Sequence, residues 1–485
     1  MWPGRIWFES CLGHWRSCLT SVTSRIAAAQ RCANNGGMKY WAYTGRLAAA
    51  TPAERNRVVD FWRVLAILLV VCGHWLAVTI WVKPDGSTDL LNSLEWVPYS
   101  GWVTWLFQVM PVFFLAGGYA NARALRRVSA GDQSARDWTT LRARRLFTPV
   151  IPLLLVWVAL ILLLRPVVPA EVMYAGAMAA TMPIWFLAVH LSLTALAPLT
   201  LAWWRRMGPA TILILAVAAI GVDVARFVFE VPGVGWVNFA FVWALVHQVG
   251  YWWADRDEHG GLPRWAGFPL ATGSLAALVA VTWGGLYPVA MVSIPGQGLA
   301  NMTPPTFAIA LLGLVQFGII GGTQPAVRRL VGRARAWHTV IAFAGVAMTV
   351  FLWHLTAGML TAAAGLSVWD GAVFKVEPGT WWWWGSRLPW FLVLGLVTAM
   401  LVAGFARFEW AIGEARLPTA WLVVLLGVLL LVGASAATAL VGIATKDGDL
   451  EWWRGSIPLA ALAGAALLGA WPTRRRPRPA GGSAG

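Results

Sequence analysis

The chain has 485 residues, 59% of them hydrophobic and only 12% charged, about half the charged fraction of a typical soluble protein. Its apolar runs are roughly 18 to 25 residues long, the length that crosses a bilayer core, and they do not alternate as the strands of a membrane barrel would. A soluble fold and a β-barrel are therefore excluded, and the net charge of +16 needs an explanation other than nucleic acid, because the basic residues cluster in short loops between apolar runs.

Residues 1–57 contain no apolar segment near the start that would serve as a signal peptide. They read as a cytoplasmic extension, disordered or the product of an over-called start with Met38 as the alternative. Cys11, Cys18 and Cys32 precede the first apolar run and Cys72 lies within it, so no disulfide framework is implied. Cys11, His14, Cys18 and Cys32 match no zinc spacing well. Twelve spans are then predicted, at 58–81, 102–122, 146–164, 184–204, 209–229, 235–254, 266–286, 303–323, 338–364, 387–406, 419–441 and 456–471. The expected fold is an all-α polytopic bundle of about twelve helices, ten to twelve being compatible with the pattern. One membrane domain fills 58–471, and a basic tail occupies 472–485.

With the N-terminus inside, 29 lysines and arginines fall on the inner side of these spans and six on the outer. That asymmetry puts both termini in the cytoplasm and suits a multi-pass protein of the inner (plasma) membrane. Lysine occurs only at 39, 83, 375 and 446; the preference for arginine, with abundant Ala, Gly and Trp, fits a GC-rich bacterial genome. The outer loops are rich in Trp, Pro and Gly, as in VEPGTWWWWGSR at 376–387. Structurally, Trp381 to Trp384 read as an interfacial anchor; functionally, they offer a surface on which a sugar can stack. No internal repeat of the kind that builds two-fold transporters is evident.

The chemistry-bearing residues begin in DFWRVLAILLVVCGHW at 60–75. Arg63 and His74 are eleven positions apart, three helical turns plus roughly 20°, so they share a face and are separated by roughly 16 Å along the axis. Asp60, three residues before Arg63, lies on that face too. Ionisable groups at membrane depth cost at least about 2.5–3.5 kcal/mol, so this stripe should face the bundle interior. The plain structural reading pairs Asp60 with Arg63 and treats His74 as a hydrogen-bonded core histidine. Against it, His354 in FLWHLTAG falls at a similar depth in the ninth span. His190 falls in the same outer layer, as do Asp223 and Arg226, which at i and i+3 read as a buried ion pair. His247 lies nearer the inner side and His259 in a loop.

These pieces resemble acyltransferase family 3, integral-membrane enzymes that move acyl groups from coenzyme A to extracytoplasmic or membrane-embedded acceptors. RVVDFWRVLAILLVVCGHW is similar to the family's first helix, with its Arg-x10-His motif at Arg63 and His74. VMPVFFLAGGYANA at 109–122 resembles the FFxxSGF segment, with Gly117 where many members have serine. RARRLFTPVIP at 142–152 resembles the Arg-x-x-Arg run, at Arg142 and Arg145, and PIWFLAVHL at 183–191 and FLWHL resemble the WFL and LWH segments. Some members append an SGNH esterase-like domain; none is recognised in this sequence.

The resemblance implies His74 as the base for a hydroxyl acceptor, a task suited to imidazole. It also implies Arg63, Arg142 and Arg145 as holders of coenzyme A phosphates, although positive-inside topology alone also places arginine at 142 and 145. His354 then orients His74, assists proton transfer or packs. No permanently bound cofactor is expected. The donor substrate is acyl-CoA, most simply acetyl-CoA, and the acceptor a hydroxyl of a cell-envelope carbohydrate or glycolipid, with membrane lipid as the surroundings and no nucleic acid. Two other classes fit the span count: a secondary transporter with an intramembrane Asp/Arg/His proton relay, and a scaffold for envelope synthesis.

Overall fold

The computed structural model describes residues 40–97, 99–129, 131, 133–259, 264–294, 298–368, 371–410, 417–447 and 451–470. Met38, Cys11, His14, Cys18, Cys32 and the predicted tail at 472–485 lie outside the described residues.

The predicted N-terminal extension is helical over residues 40–49, α1. α2 (Arg57–Ala77) starts at Asn56, whose side chain accepts a hydrogen bond from the Val58 N–H at 3.0 Å, a cap worth about 1 kcal/mol. The sequence predicts helix as far as residue 81, but the helix stops at Ala77. Val78–Val82 is strand β1, paired antiparallel with β2 (Thr88–Asn92). The β-branched run VTIWV favours the strand, and the turn between the strands is fixed locally. Asp85 accepts from Ser87 N and Oγ at 2.8 and 2.7 Å, which holds its carboxyl below the usual range, and Gly86 sits at φ 82°. The all-α expectation is thus corrected by one hairpin. Short helices α3 (Ser93–Trp96) and α4 (Ser100–Phe107) complete a cap over one end of the bundle.

The rest is helical: α5 (Met110–Ser129), α6 (Ala135–Phe147), α7 (Val150–Leu164), α8 (Ala170–Thr181), α9 (Ile184–Met207) and α10 (Ala210–Phe227), then α11 (Asn238–Glu258), α12 (Arg264–Trp283) and α13 (Phe307–Gly332). After these come α14 (Ala334–Ala344), α15 (Ala347–Val368), α16 (Trp381–Trp410), α17 (Trp421–Val441) and α18 (Trp452–Leu468). Every predicted span overlaps a helix. Among the described residues, ten stretches are long and apolar enough to cross a membrane. α11 and α18 fall outside that set: α11 carries Asn238, His247 and Gln248 within its apolar stretch, and α18 has only 17 residues. α16 begins at Trp381, so the four tryptophans predicted for an outer loop form its first turn.

Close packing positions the central helices. A Cβ added at Gly118 of α5 would overlap the His247 carbonyl of α11, and one at Gly250 would overlap the Leu115 carbonyl. The two backbones touch, as small residues allow inside membranes. At one end, Asn56 bonds Tyr119 and Asp257 at 3.2 and 3.0 Å, Tyr119 donates to Asp257 at 2.5 Å, and Arg57 reaches the Val331 carbonyl at 3.2 Å. The start of α2 and the ends of α5, α11 and α13 therefore meet at a basic face. α1 docks beside them, with the Trp41 ring 3.9 Å from that of His338 and Thr44 Oγ1 3.1 Å from His338 Nε2. At the opposite, capped face, the 284–306 loop is pinned to α4. Trp105 donates to the Val289 carbonyl at 2.7 Å, Gln108 to the Met291 carbonyl at 2.9 Å, and Thr104 Oγ1 accepts from Met291 N at 2.8 Å.

Candidate active site

His74 occupies the last turn of α2, where the chain is about to leave the helix for the hairpin. Its Nδ1 lies 2.7 Å from Nε2 of His354, with the rings nearly parallel at 8° and their centroids 5.0 Å apart. α15 supplies His354, which is fully buried, and its Nδ1 lies 2.7 Å from the Phe351 carbonyl. Trp75 locks the two helices together by donating to the His354 carbonyl at 3.1 Å.

The donors and acceptors fix where the protons are. A carbonyl only accepts, so His354 Nδ1 carries a hydrogen. In neutral His354, Nε2 is then the acceptor and His74 Nδ1 the donor. That leaves Nε2 of neutral His74 with a lone pair and, among the described residues, no hydrogen-bond partner. The pair forms a directed chain, Phe351 carbonyl to His354 to His74, ending on one free basic nitrogen.

His74 lines a cavity of about 1280 Å³ under the cap. Val70, Gly73, Ala188, Ser192, Phe351, Trp383 and Trp384 also line it. The tryptophan run divides in two. Trp381 and Trp382 are 91% and 84% exposed, whereas Trp383 is buried and packs edge-on to Trp384 with centroids 4.8 Å apart. Arg387 lies over the Trp383 ring at 4.4 Å and its Nε donates to the Trp383 carbonyl at 3.3 Å.

Arg63, Arg142 and Arg145 converge from α2 and α6 near the basic face, with Arg142 within electrostatic range of the other two. Arg63 remains 54% exposed although it lies inside the helix. Arg142 is half-buried over the Trp138 ring at 5.5 Å, and Arg145 is exposed. The intervening Arg144 is buried and donates to the Leu468 carbonyl, which ties α6 to α18. Asp60 finds its main partner elsewhere. Arg55 Nε approaches it at 2.6 Å and Arg63 at 3.9 Å, so the expected Asp60–Arg63 pair is present as the longer arm of a two-arginine cluster. Glu409, in the last turn of α16, also lies within range of Arg63 and Arg145. It accepts from Met348 N, Thr349 N and Thr349 Oγ1 at 3.2, 2.9 and 2.7 Å and so caps α15 from outside.

The other expected polar residues are placed apart. His190 packs between Phe186 and Gly117 with its Nδ1 buried and without a partner, and His247 Nε2 meets Asn121 at 3.2 Å. Neither lines the cavity. Asp223 accepts from Asn238, Tyr287 and the Phe307 N–H, each at 2.8 Å. No ion pair joins it to Arg226, whose Nη1 is buried without a partner; two neutral donors and a backbone amide replace the ion pair that the i, i+3 spacing suggested. No cluster of three metal-ligating side chains occurs among the described residues.

The sequence model of one family, described as an acyltransferase domain, matches residues 56–403. The chain belongs to acyltransferase family 3. It is a membrane acyltransferase, and the transporter alternative is not favoured. No curated protein and no solved structure gives a significant match. The matched stretch holds His74, His354 and all three arginines, and ends before α17 and α18. Sequence reasoning missed Arg55 as the partner of Asp60 and the hairpin, and it did not separate Trp383 and Trp384, which line the cavity, from the exposed Trp381 and Trp382. Only the hairpin had a local signal, Pro84-Asp85-Gly86 after the β-branched run VTIWV.

Proposed function

We propose that this acyltransferase moves an acyl group, most simply acetyl, from acyl-CoA to a hydroxyl of an envelope carbohydrate or glycolipid. The observation that carries the reading is the His74–His354 pair with its one free nitrogen on a large cavity. In the reaction, His74 Nε2 takes the acceptor's hydroxyl proton as the oxygen attacks the thioester carbonyl. The tetrahedral intermediate then expels the coenzyme A thiolate, which receives that proton. An ester bond forms and the thioester bond breaks. His354 keeps His74 in the productive tautomer by accepting its Nδ1–H, as the orienting member of a base pair does.

Arg63, Arg142 and Arg145 hold the donor's phosphates in this reading. Guanidinium groups make bidentate, charge-assisted bonds to phosphate, and three of them gathered from two helices form a site that topology alone does not require. The basic face is then cytoplasmic, where coenzyme A is made, and the capped face is external. His74 stands roughly 16 Å beyond Arg63 along α2, a distance for the extended pantetheine arm to bridge.

The test is to supply radiolabelled acetyl-CoA and envelope extract to membranes containing the protein, and to compare envelope glycolipids and polysaccharides by mass with those from a deletion strain. Label in a base-labile ester, and a loss of acetyl mass in the deletion strain, is the expected result. Donor consumption without an ester product would overturn O-acylation.

A further inference from the structure

α6 carries three arginines in a run of four, and they do not point the same way. Arg142 and Arg145 are three positions apart and share a face, whereas Arg144 lies roughly 160° around the helix from Arg142. Arg144 is 1% exposed. A guanidinium buried inside a membrane bundle needs a built partner, and the C-terminal end of α18 supplies one. There the chain closes with Gly469 at φ 66°, and the Gly469 and Ala470 N–H groups return to the carbonyls of Ala466 and Ala465 at 3.0 and 2.7 Å. That turn does not reach the Leu468 carbonyl, and Arg144 donates to it. Thr148, four residues on, donates to the Ala470 carbonyl at 3.4 Å. A cation placed here also faces the negative end of the α18 dipole.

The opposite end of α6 is held by the same part of the chain. Arg136 donates to the Thr419 carbonyl, just before α17. Arg136, Arg144 and Thr148 fall within roughly 120° of helix surface, centred opposite Arg142. The two C-terminal helices are themselves joined closely. A Cβ at Gly464 of α18 would come within 2.9 Å of the Gly427 carbonyl of α17, so their backbones touch. At the far end Arg454 donates to the Val441 and Ala444 carbonyls. α17 in turn packs along α9. Both helices lie beyond the matched acyltransferase stretch, yet they hold the helix that carries two of the three converging arginines.

We propose that the α17–α18 hairpin is a clamp on the donor site and that Arg144 is its positioning residue. Fixed to the end of α18, Arg144 sets the rotation of α6 so that Arg142 and Arg145 are presented toward Arg63. Arg144 itself touches no donor atom. The proposal rests on the reading of those three arginines as the phosphate site, and it extends that site to two helices outside the matched domain.

The test is calorimetric binding of adenosine 3′,5′-bisphosphate and of coenzyme A to the full-length protein in nanodiscs, beside the kinetics of thiol release from acetyl-CoA. Arg144→Ala should weaken binding of both about ten-fold, because two charge-assisted contacts lose their aim together. The donor KM should rise alike, with kcat at saturating donor kept. Arg144→Lys should recover most of the affinity. A helix-end carbonyl needs only a cationic N–H donor, whereas a bidentate phosphate contact distinguishes arginine from lysine. Gly464→Ala parts the hairpin from the α18 side and should weaken binding in the same direction, which carries the test if Arg144→Ala does not accumulate. Unchanged affinity in both variants, with a lowered melting temperature, would make the contact a fold tie alone and overturn the proposal. Equal loss in Arg144→Ala and Arg144→Lys would mean that Arg144 meets phosphate directly, and would overturn it too. No binding by wild type, or equal affinity in wild type and Arg142→Ala, would instead remove the phosphate reading and the proposal with it.

Discussion

His354→Ala separates an orienting histidine from a packing one. The substitution removes the acceptor that the His74 Nδ1–H has among the described residues, a 2.7 Å contact, and leaves that donor unpaired in a half-buried site at a cost of about 1–3 kcal/mol. The same range, lost from the transition state, is roughly a 5- to 150-fold fall in rate. The fall should appear in kcat, with the acyl-CoA KM unchanged, because Arg63 lies toward the far end of α2 and Arg142 and Arg145 lie on α6. His354→Gln offers a carbonyl oxygen near the position of Nε2 and should recover most of the rate, although the bond to the Phe351 carbonyl is lost. The assay is thiol release from acetyl-CoA by purified protein in nanodiscs, normalised to folded protein. Equal activity in His354→Ala and wild type would refute the directed hydrogen-bond chain. So would equal loss in the Ala and Gln variants, which would point to packing.

Arg55→Gln should lower thermal stability by about 1–3 kcal/mol, because Asp60 loses its 2.6 Å partner in a half-dry site, while the donor KM stays put; melting curves beside kinetics decide. Arg63→Gln should do the reverse, raising the donor KM about ten-fold with little change in melting. Arg145→Lys should restore only part of the donor affinity lost in Arg145→Ala, since lysine cannot make the bidentate contact. Gly118→Ala forces α5 away from the His247 carbonyl and should destabilise the protein by about 1–3 kcal/mol, read as lost monodisperse protein after extraction. Reporter fusions at residue 131 should face the cytoplasm and at residue 375 the outside; the opposite result at 375 would invert the donor and acceptor faces.

The helices were legible because each is a long apolar run, and a run of that length has few other fates in a chain of this composition. Their ends were less so. The α2 boundary moved to Ala77 because a hairpin competes for VTIWV, and α16 begins earlier because the tryptophans read as a loop fit equally well in a first helical turn. At the site, the depth of His74 and His354 in their spans anticipated their meeting, but not the 2.7 Å contact or its direction, which depend on how α2 and α15 pack. Asp60 illustrates the limit of local spacing. The i, i+3 rule selected Arg63, whereas the chain turning back before α2 presents Arg55 at closer range. Trp383 differs from its neighbours Trp381 and Trp382 only by which way the helix turns it, and no local signal marks that.

That His74 is the base is tested most directly by single-turnover transfer of radiolabelled acetyl from acetyl-CoA to acceptor, comparing wild type with His74→Ala in nanodiscs at equal folded protein. The expected result is a fall of roughly 10²–10⁴, the usual contribution of a positioned acid–base group, with acetyl-CoA binding unchanged. Undiminished transfer by a stable His74→Ala protein would contradict it, and the pair with His354 would then be a structural joint between α2 and α15.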